Sequence, residues 1–224
     1  MFGGGLYIDS IRRCWVRLGY PRDVHVSPPP QRPGRLADDP GIVKGIVFVA
    51  LERYLIERLG EAAWNHILDT AGPALGTQDP WVGPGTYPDK DLRTVIEVAA
   101  AHSGTDVSVL MRDVGSYSFP QFAARFAWAA AGHRDLRAFL GTVERTVHPE
   151  VDRMSPGART PDVRFSWSSE TEFSVTYRSP RAMCAYAEGM LLGVAAHFGA
   201  TIALTKRACT QEGAATCRWE GTLT

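Results

Sequence analysis

Residues 162–198, DVRFSWSSETEFSVTYRSPRAMCAYAEGMLLGVAAHF, decide how this chain is read. Val163, Phe165 and Trp167 alternate with polar residues, and after a polar run near Ser169 so do Phe173, Val175 and Tyr177. A period of two with one apolar face predicts a β-hairpin. From about 181 to 197 the period changes. Met183, Tyr186, Ala187, Met190, Leu191, Val194 and Ala195 recur at helical spacing, which predicts a helix. Two further strands are predicted, over 201–205 and 216–222. The C-terminal half therefore reads β-β-α-β-β, a four-stranded antiparallel sheet with one helix.

Upstream the texture is helical. Ile46, Val47, Val49, Ala50, Leu51, Tyr54, Leu55 and Leu59 follow the helical period and stop at Gly60. Further helices are predicted over 61–70, from Pro88-Asp89 to Gly104, over 106–114 with Thr105 as cap and Gly115 as stop, near 119–131 and near 135–154. Residues 73–88, rich in Gly and Pro, read as a long loop. The fold class is α+β: a helical N-terminal lobe, about 43–108, packed on a lobe with a sheet, about 109–224. Residues 1–42 stand apart. Gly3-Gly4-Gly5, Pro28-Pro29-Pro30, Pro33, Gly34 and Pro40 punctuate them, so a mostly disordered extension is expected, with one short helix over 7–18. Val43 directly precedes Lys44-Gly45, and a valine codon can start a bacterial protein. Residues 1–42 are therefore also open to being an artefact of start-site assignment.

The 224 residues carry 24 basic and 24 acidic side chains. This balance argues against a nucleic-acid footprint, which needs clustered positive charge. The chain has no apolar run long enough to span a membrane and no secretory signal pattern. Its four cysteines do not resemble a secreted disulfide framework. A cytoplasmic protein is expected.

Three groups of residues carry candidate chemistry. On an extended backbone Tyr177, Ser179 and Arg181 share a face. A phenol, a hydroxyl and a guanidinium then point together, a donor set suited to carboxylates or phosphates. The same residues also read as ordinary surface groups at a strand end. His148 lies at the edge of the stripe Leu136, Leu140, Val143, Val147 and Val151, where an imidazole can ligate a metal or serve as a structural hydrogen-bonding group. Pro149 disfavours helical geometry at His148, so a kink or helix restart is expected there. Cys184, Cys209 and Cys217 suit zinc, or a role as small buried hydrophobes. Templates for nucleotide binding, metalloproteases and serine hydrolases are missing, as is a carboxylate pair for acid–base work, so no enzyme is indicated. Nothing around His102, His133 or His197 favours catalysis.

The sequence resembles the heme nitric oxide/oxygen binding (H-NOX) domain of bacterial gas sensors and soluble guanylate cyclase. The resemblance runs from about Val43 to the C-terminus. It rests on Lys44-Gly45-Ile46-Val47-Phe48, Glu57-Arg58-Leu59-Gly60, Gly85-Thr86-Tyr87-Pro88, Arg112-Asp113-Val114-Gly115, Val147-His148, and the run from Pro156 to Pro161. Its most specific part is the Tyr-x-Ser-x-Arg signature, here Tyr177, Ser179 and Arg181. The resemblance implies heme b between the two lobes. His148 is then the proximal iron ligand, Tyr177, Ser179 and Arg181 hold the propionates, and Pro161 presses on the porphyrin. Tyr186 falls where dioxygen-binding members carry a distal tyrosine, so dioxygen as well as nitric oxide is expected to bind. Cys184, Cys209 and Cys217 match three positions of a zinc site that some members complete with a histidine, and Lys206 stands at that fourth position. Lysine is protonated at neutral pH and a poor zinc ligand. The implied function is a stand-alone heme-based gas sensor acting on a separate effector, such as a histidine kinase or diguanylate cyclase. A thiol/zinc redox switch and a heme-free module binding a small molecule or partner remain alternatives.

Overall fold

A computed structural model of the chain describes residues 41–154 and 160–224. Most of the extension expected over 1–42 lies outside the described residues. Its last two residues are inside, and they join the fold. Ile42 is 4% exposed in the core, and the Gly41 carbonyl accepts the Asp89 amide at 2.6 Å.

Strand β1 (Ile42–Lys44) pairs antiparallel with β2 (Thr86–Pro88). Strand β2 sits inside the stretch 73–88 read as loop, and both strands are too short for alternation to reveal. Between the two strands run α1 (Gly45–Leu59) and α2 (Glu61–Ala71). The Lys44-Gly45 pair ties the returning loop down. The Lys44 ammonium donates to the Pro84 carbonyl and the Thr86 hydroxyl, each at 3.0 Å. A Cβ on Gly45 would lie 1.9 Å from the Val82 carbonyl, so only glycine fits. Helix α3 (Asp89–Ser103) closes on Gly104 in the left-handed region, a common helix end. Val47, Phe48, Leu51, Leu55, Ile67, Val95 and Ile96 form the first core.

Helix α4 (Val107–Arg125) is one element, capped by Asp106, whose carboxylate accepts from Ser108 N and Val109 N. Two expectations are corrected here: the cap is not Thr105, and Gly115 does not stop the helix. A Cβ there would lie 2.3 Å from the Tyr186 carbonyl, so Gly115 serves a close helix crossing. The first half of α4 enters the first core through Leu110, Met111 and Val114. Its second half enters another core through Phe119. Short α5 (Ala127–Ala130) and α6 (Leu136–Leu140) follow. The helix expected near 135–154 is broken into α6, a π-helical turn over Val143–Val147, and α7 (His148–Met154). A restart at His148 was expected from Pro149 and is what the backbone does.

The second core lies under the four-stranded sheet: β3 (Asp162–Trp167), β4 (Glu172–Arg178), β5 (Ile202–Ala208) and β6 (Cys217–Leu223), in the order β3-β4-β6-β5. All neighbours are antiparallel. Phe173, Val175 and Tyr177 point inward and are buried, as the alternation predicted, and Cys217 and Trp219 of β6 join them. Helix α8 (Cys184–His197) packs between this sheet and α4. It starts three residues later than expected, because Ala182 adopts φ 50° and interrupts the helical path after Pro180.

Candidate functional site

His148 opens α7 directly after the π-helical turn. In that turn the Thr142 carbonyl accepts both Thr146 N at 2.8 Å and Val147 N at 3.1 Å. The Gly141 carbonyl is taken instead by the Arg145 guanidinium, at 3.0 and 2.6 Å. Pro149 is tolerated because a first-turn amide has no intrahelical acceptor. The ring is half-buried, and its Nδ1 is sealed from solvent with no hydrogen-bond partner among the described residues. Burial pushes its pKa below the ordinary value, and the Asp152 carboxylate and the Pro161 backbone only partly offset this. His148 is therefore a neutral imidazole at neutral pH, the form that ligates metals. Pro161, half-buried, meets the histidine through its backbone.

Tyr177 is the last inward residue of β4, opposite Val163 on β3 and Cys217 on β6. The strand ends at Arg178. Ser179 and Arg181 lie in a tight turn, with the Ala182 amide on the Ser179 carbonyl at 3.2 Å and the Arg181 amide on the Ser179 hydroxyl at 3.3 Å. The extended-backbone argument thus fails for two of the three residues, yet they still meet. Tyr177 is 5% exposed, and Ser179 and Arg181 are 8% each. This overturns their reading as surface groups. Burial lifts the Tyr177 phenol to about 12, against the pull of the Ser179 hydroxyl and the Arg181 guanidinium. Arg181 reaches back to β1 and donates to the Ile42 carbonyl at 3.1 Å. Nothing in the sequence signalled that contact across 139 positions.

Tyr186 lies in the first turn of α8 and packs against the first core. Its hydroxyl is fully buried without a hydrogen-bond partner among the described residues. Burial raises its pKa well above the ordinary phenol value, and Ser118 opposes the shift. Ser118 was missed at the sequence level. It is fully buried on α4, and its hydroxyl donates to the Val114 carbonyl at 2.7 Å. The two helices touch backbone to backbone here. A Cβ would lie 1.9 Å from the Arg112 carbonyl at Gly189 and 2.5 Å from the Ser116 carbonyl at Gly193. The i, i+4 spacing of these glycines was the available signal. An ion pair between Arg112 and Glu188 at 3.0 Å, with Trp219 Nε1 donating to Glu188 at 3.2 Å, joins α4, α8 and the sheet.

Cys184, Cys209 and Cys217 do converge. Their sulfurs lie within 4.8 Å of one another, and all three are buried. Cys184 Sγ is 2.6 Å from Cys217 Sγ, and Cys217 Sγ is 4.0 Å from Cys209 Sγ. The Thr210 hydroxyl approaches Cys184 at 3.3 Å and Cys217 at 3.4 Å. Burial and donation to Cys217 push the Cys184 thiol up to about 12. Burial acts on Cys217 too, but donation from Cys184 and Thr210 outweighs it and holds this thiol below the usual range. Lys206 is exposed on β5. Among the described residues, no other cysteine, histidine or carboxylate completes the group.

The sequence from 44 to 206 matches the family described as haem-NO-binding. Among solved structures, an H-NOX protein from S. oneidensis in the Fe(II)NO ligation state aligns with a TM-score of 0.75 at 23% identity, over 81% of this chain and 99% of that one. The Fe(II) unliganded H-NOX protein from K. algicida aligns with a TM-score of 0.72 at 17% identity, over 81% and 97%. A mutant of T. tengcongensis H-NOX aligns with a TM-score of 0.69 at 20% identity, over 81% and 98%. No curated protein matches. At these identities the structural likeness speaks for the fold, and the family match spans most of the chain. This protein therefore belongs to the haem-NO-binding family.

Proposed function

We propose that the chain is a heme-based gas sensor, with heme b held between the two cores over residues 43–224 and signalling to an effector in trans. The observation that carries this reading is the neutral, half-buried His148 imidazole, whose buried Nδ1 has no partner among the described residues. A desolvated nitrogen left unpaired costs stability unless a ligand uses the site. The donor set fits the group. His148 is the iron ligand. Tyr177, Ser179 and Arg181 supply buried donors for two carboxylates, as charge-assisted recognition requires. Pro161, whose backbone meets the histidine, would press on the porphyrin. Bound ferrous heme supplies the centre that takes up a diatomic gas. The chain's own residues bind, orient and dry that centre. Tyr186 is the ligand-selecting residue: its buried, unpartnered hydroxyl remains protonated and donates to a polar gas such as dioxygen, which nitric oxide does not require. The Ser118 proton is already committed to the Val114 carbonyl, so it does not compete for that role.

The deciding experiment is the absorption spectrum of protein expressed with adequate heme, reduced without oxygen, then exposed to dioxygen and nitric oxide separately. The expected result is a heme Soret band that is lost in His148→Gly and regained with imidazole, and that shifts with both gases. No heme band after reconstitution removes the reading and leaves a heme-free binding module on the same fold. A shift with nitric oxide alone removes the dioxygen role of Tyr186.

One observation favours a second reading, a thiol switch. Cys184 and Cys217 lie 2.6 Å apart, so a peroxide-class oxidant can take two electrons and two protons from the pair and close a disulfide. It predicts that oxidation alters effector binding more than gas does, and equal effector binding by oxidised and reduced protein would refute it.

A further inference from the structure

The three-cysteine cluster belongs to the β-β-α-β-β unit and stands outside the His148 site. Cys184 opens α8, Cys209 follows the bulged end of β5, and Cys217 opens β6. A closed structural zinc site needs four ligands. Among the described residues only three thiols come together, and the position that the family resemblance pairs with them is the exposed Lys206. Zinc on three thiolates would keep an open position and leave a net negative charge in a dry interior, where unpaired charge is costly. Among the described residues the Thr210 amide and hydroxyl hydrogen-bond the cluster. These are dipoles and bring no positive charge. The donor set therefore disagrees with four-coordinate zinc. It fits an ion that is satisfied by three ligands and neutral with three thiolates.

We propose that Cys184, Cys209 and Cys217 form a trithiolate site for a trivalent, three-coordinate thiophile, taken up from water as arsenous acid. The reaction is a substitution without redox change. Three As–OH bonds break and three As–S bonds form, while each thiol proton joins a departing hydroxide to leave as water. The product carries no net charge, and the lone pair on arsenic fills the fourth position without a ligand. Soft thiolates select such ions over hard ones. Ala185 and Gln211, the chain neighbours of Cys184 and Thr210, line a cleft of about 310 Å³.

The test uses the full reduced chain, with and without heme, titrated with sodium arsenite. X-ray absorption reports the arsenic neighbours, and alkylation with mass spectrometry reports which thiols are covered. The expected result is one equivalent bound, three sulfur neighbours with no oxygen, and joint protection of Cys184, Cys209 and Cys217. Cys209→Ser should weaken binding by about tenfold or more, because metal affinity depends on every deprotonated ligand. If that variant fails to fold, the protection pattern of the unaltered chain decides. Four-coordinate zinc that arsenite does not displace overturns the proposal. So does protection of Cys14 in place of Cys209, a Cys184–Cys217 disulfide in reduced protein, or arsenite binding untouched by Cys209→Ser. The Soret band is read on the same samples, so loss of the heme reading leaves this result standing.

Discussion

The histidine site and the cysteine cluster are both buried and polar, but they satisfy themselves differently. The first draws on β1, α4, α7, β4, the turn after β4 and α8. It holds two atoms, His148 Nδ1 and Tyr186 Oη, that have no hydrogen-bond partner among the described residues. The second comes from one compact unit, and its sulfurs partner one another and Thr210. Unpartnered buried atoms mark a site shaped for a ligand, whereas mutually partnered ones can stand without it. The contrast predicts that changes at the first site act on ligand binding and changes at the second act on the fold.

The largest expected effect breaks the seam that both sites share. Gly189→Val places carbon atoms where the Arg112 carbonyl lies 1.9 Å from an ideal Cβ. Overpacking of this kind costs about 3 kcal/mol or more. Urea unfolding should show a lower midpoint with an unchanged slope. A midpoint equal to the parent would mean that the helices are not held backbone to backbone.

Next come the two sites themselves. Cys217→Ser puts a hydroxyl in a fully buried position between sulfurs and should destabilise the ligand-free protein by about 1–3 kcal/mol. Tyr186→Phe removes an unpartnered hydroxyl. It should leave ligand-free stability unchanged or raise it by up to about 1 kcal/mol, while weakening dioxygen binding and sparing nitric oxide. Thermal unfolding and gas dissociation rates read the two halves of that prediction. Loss of stability in Tyr186→Phe would show that the phenol is structural and erase the contrast.

The smallest effect is a pH dependence. The folded-state pKa of His148 lies below its ordinary value, so the unfolded chain binds more protons than the folded one as pH falls through the ordinary histidine range, about 6.5. Stability then decreases from that point down toward the folded pKa, and it is fully present above it. His148→Gln should flatten this slope in a titration of ligand-free stability. An equal slope in both proteins would assign it to other groups.

Periodicity determined the β-β-α-β-β order and the inward set Phe173, Val175 and Tyr177, and Pro149 marked the break at His148. Each is a local consequence of side-chain alternation or of the missing proline amide. The Tyr177, Ser179, Arg181 signature was visible as a pattern, but its burial was not, because burial comes from distant segments, such as the second core around Tyr177 and the Ile42 carbonyl that Arg181 reaches. Gly115 reads locally as a helix stop, and Gly189 and Gly193 show only an i, i+4 spacing. Only the crossing of α4 and α8 shows that their missing side chains allow two backbones to touch. The orphaned hydroxyl of Tyr186, the presence of Ser118 beside it and the convergence of three cysteines are likewise decided by contacts between distant segments. No local rule encodes such contacts, since they arise when several elements are buried against one another at once.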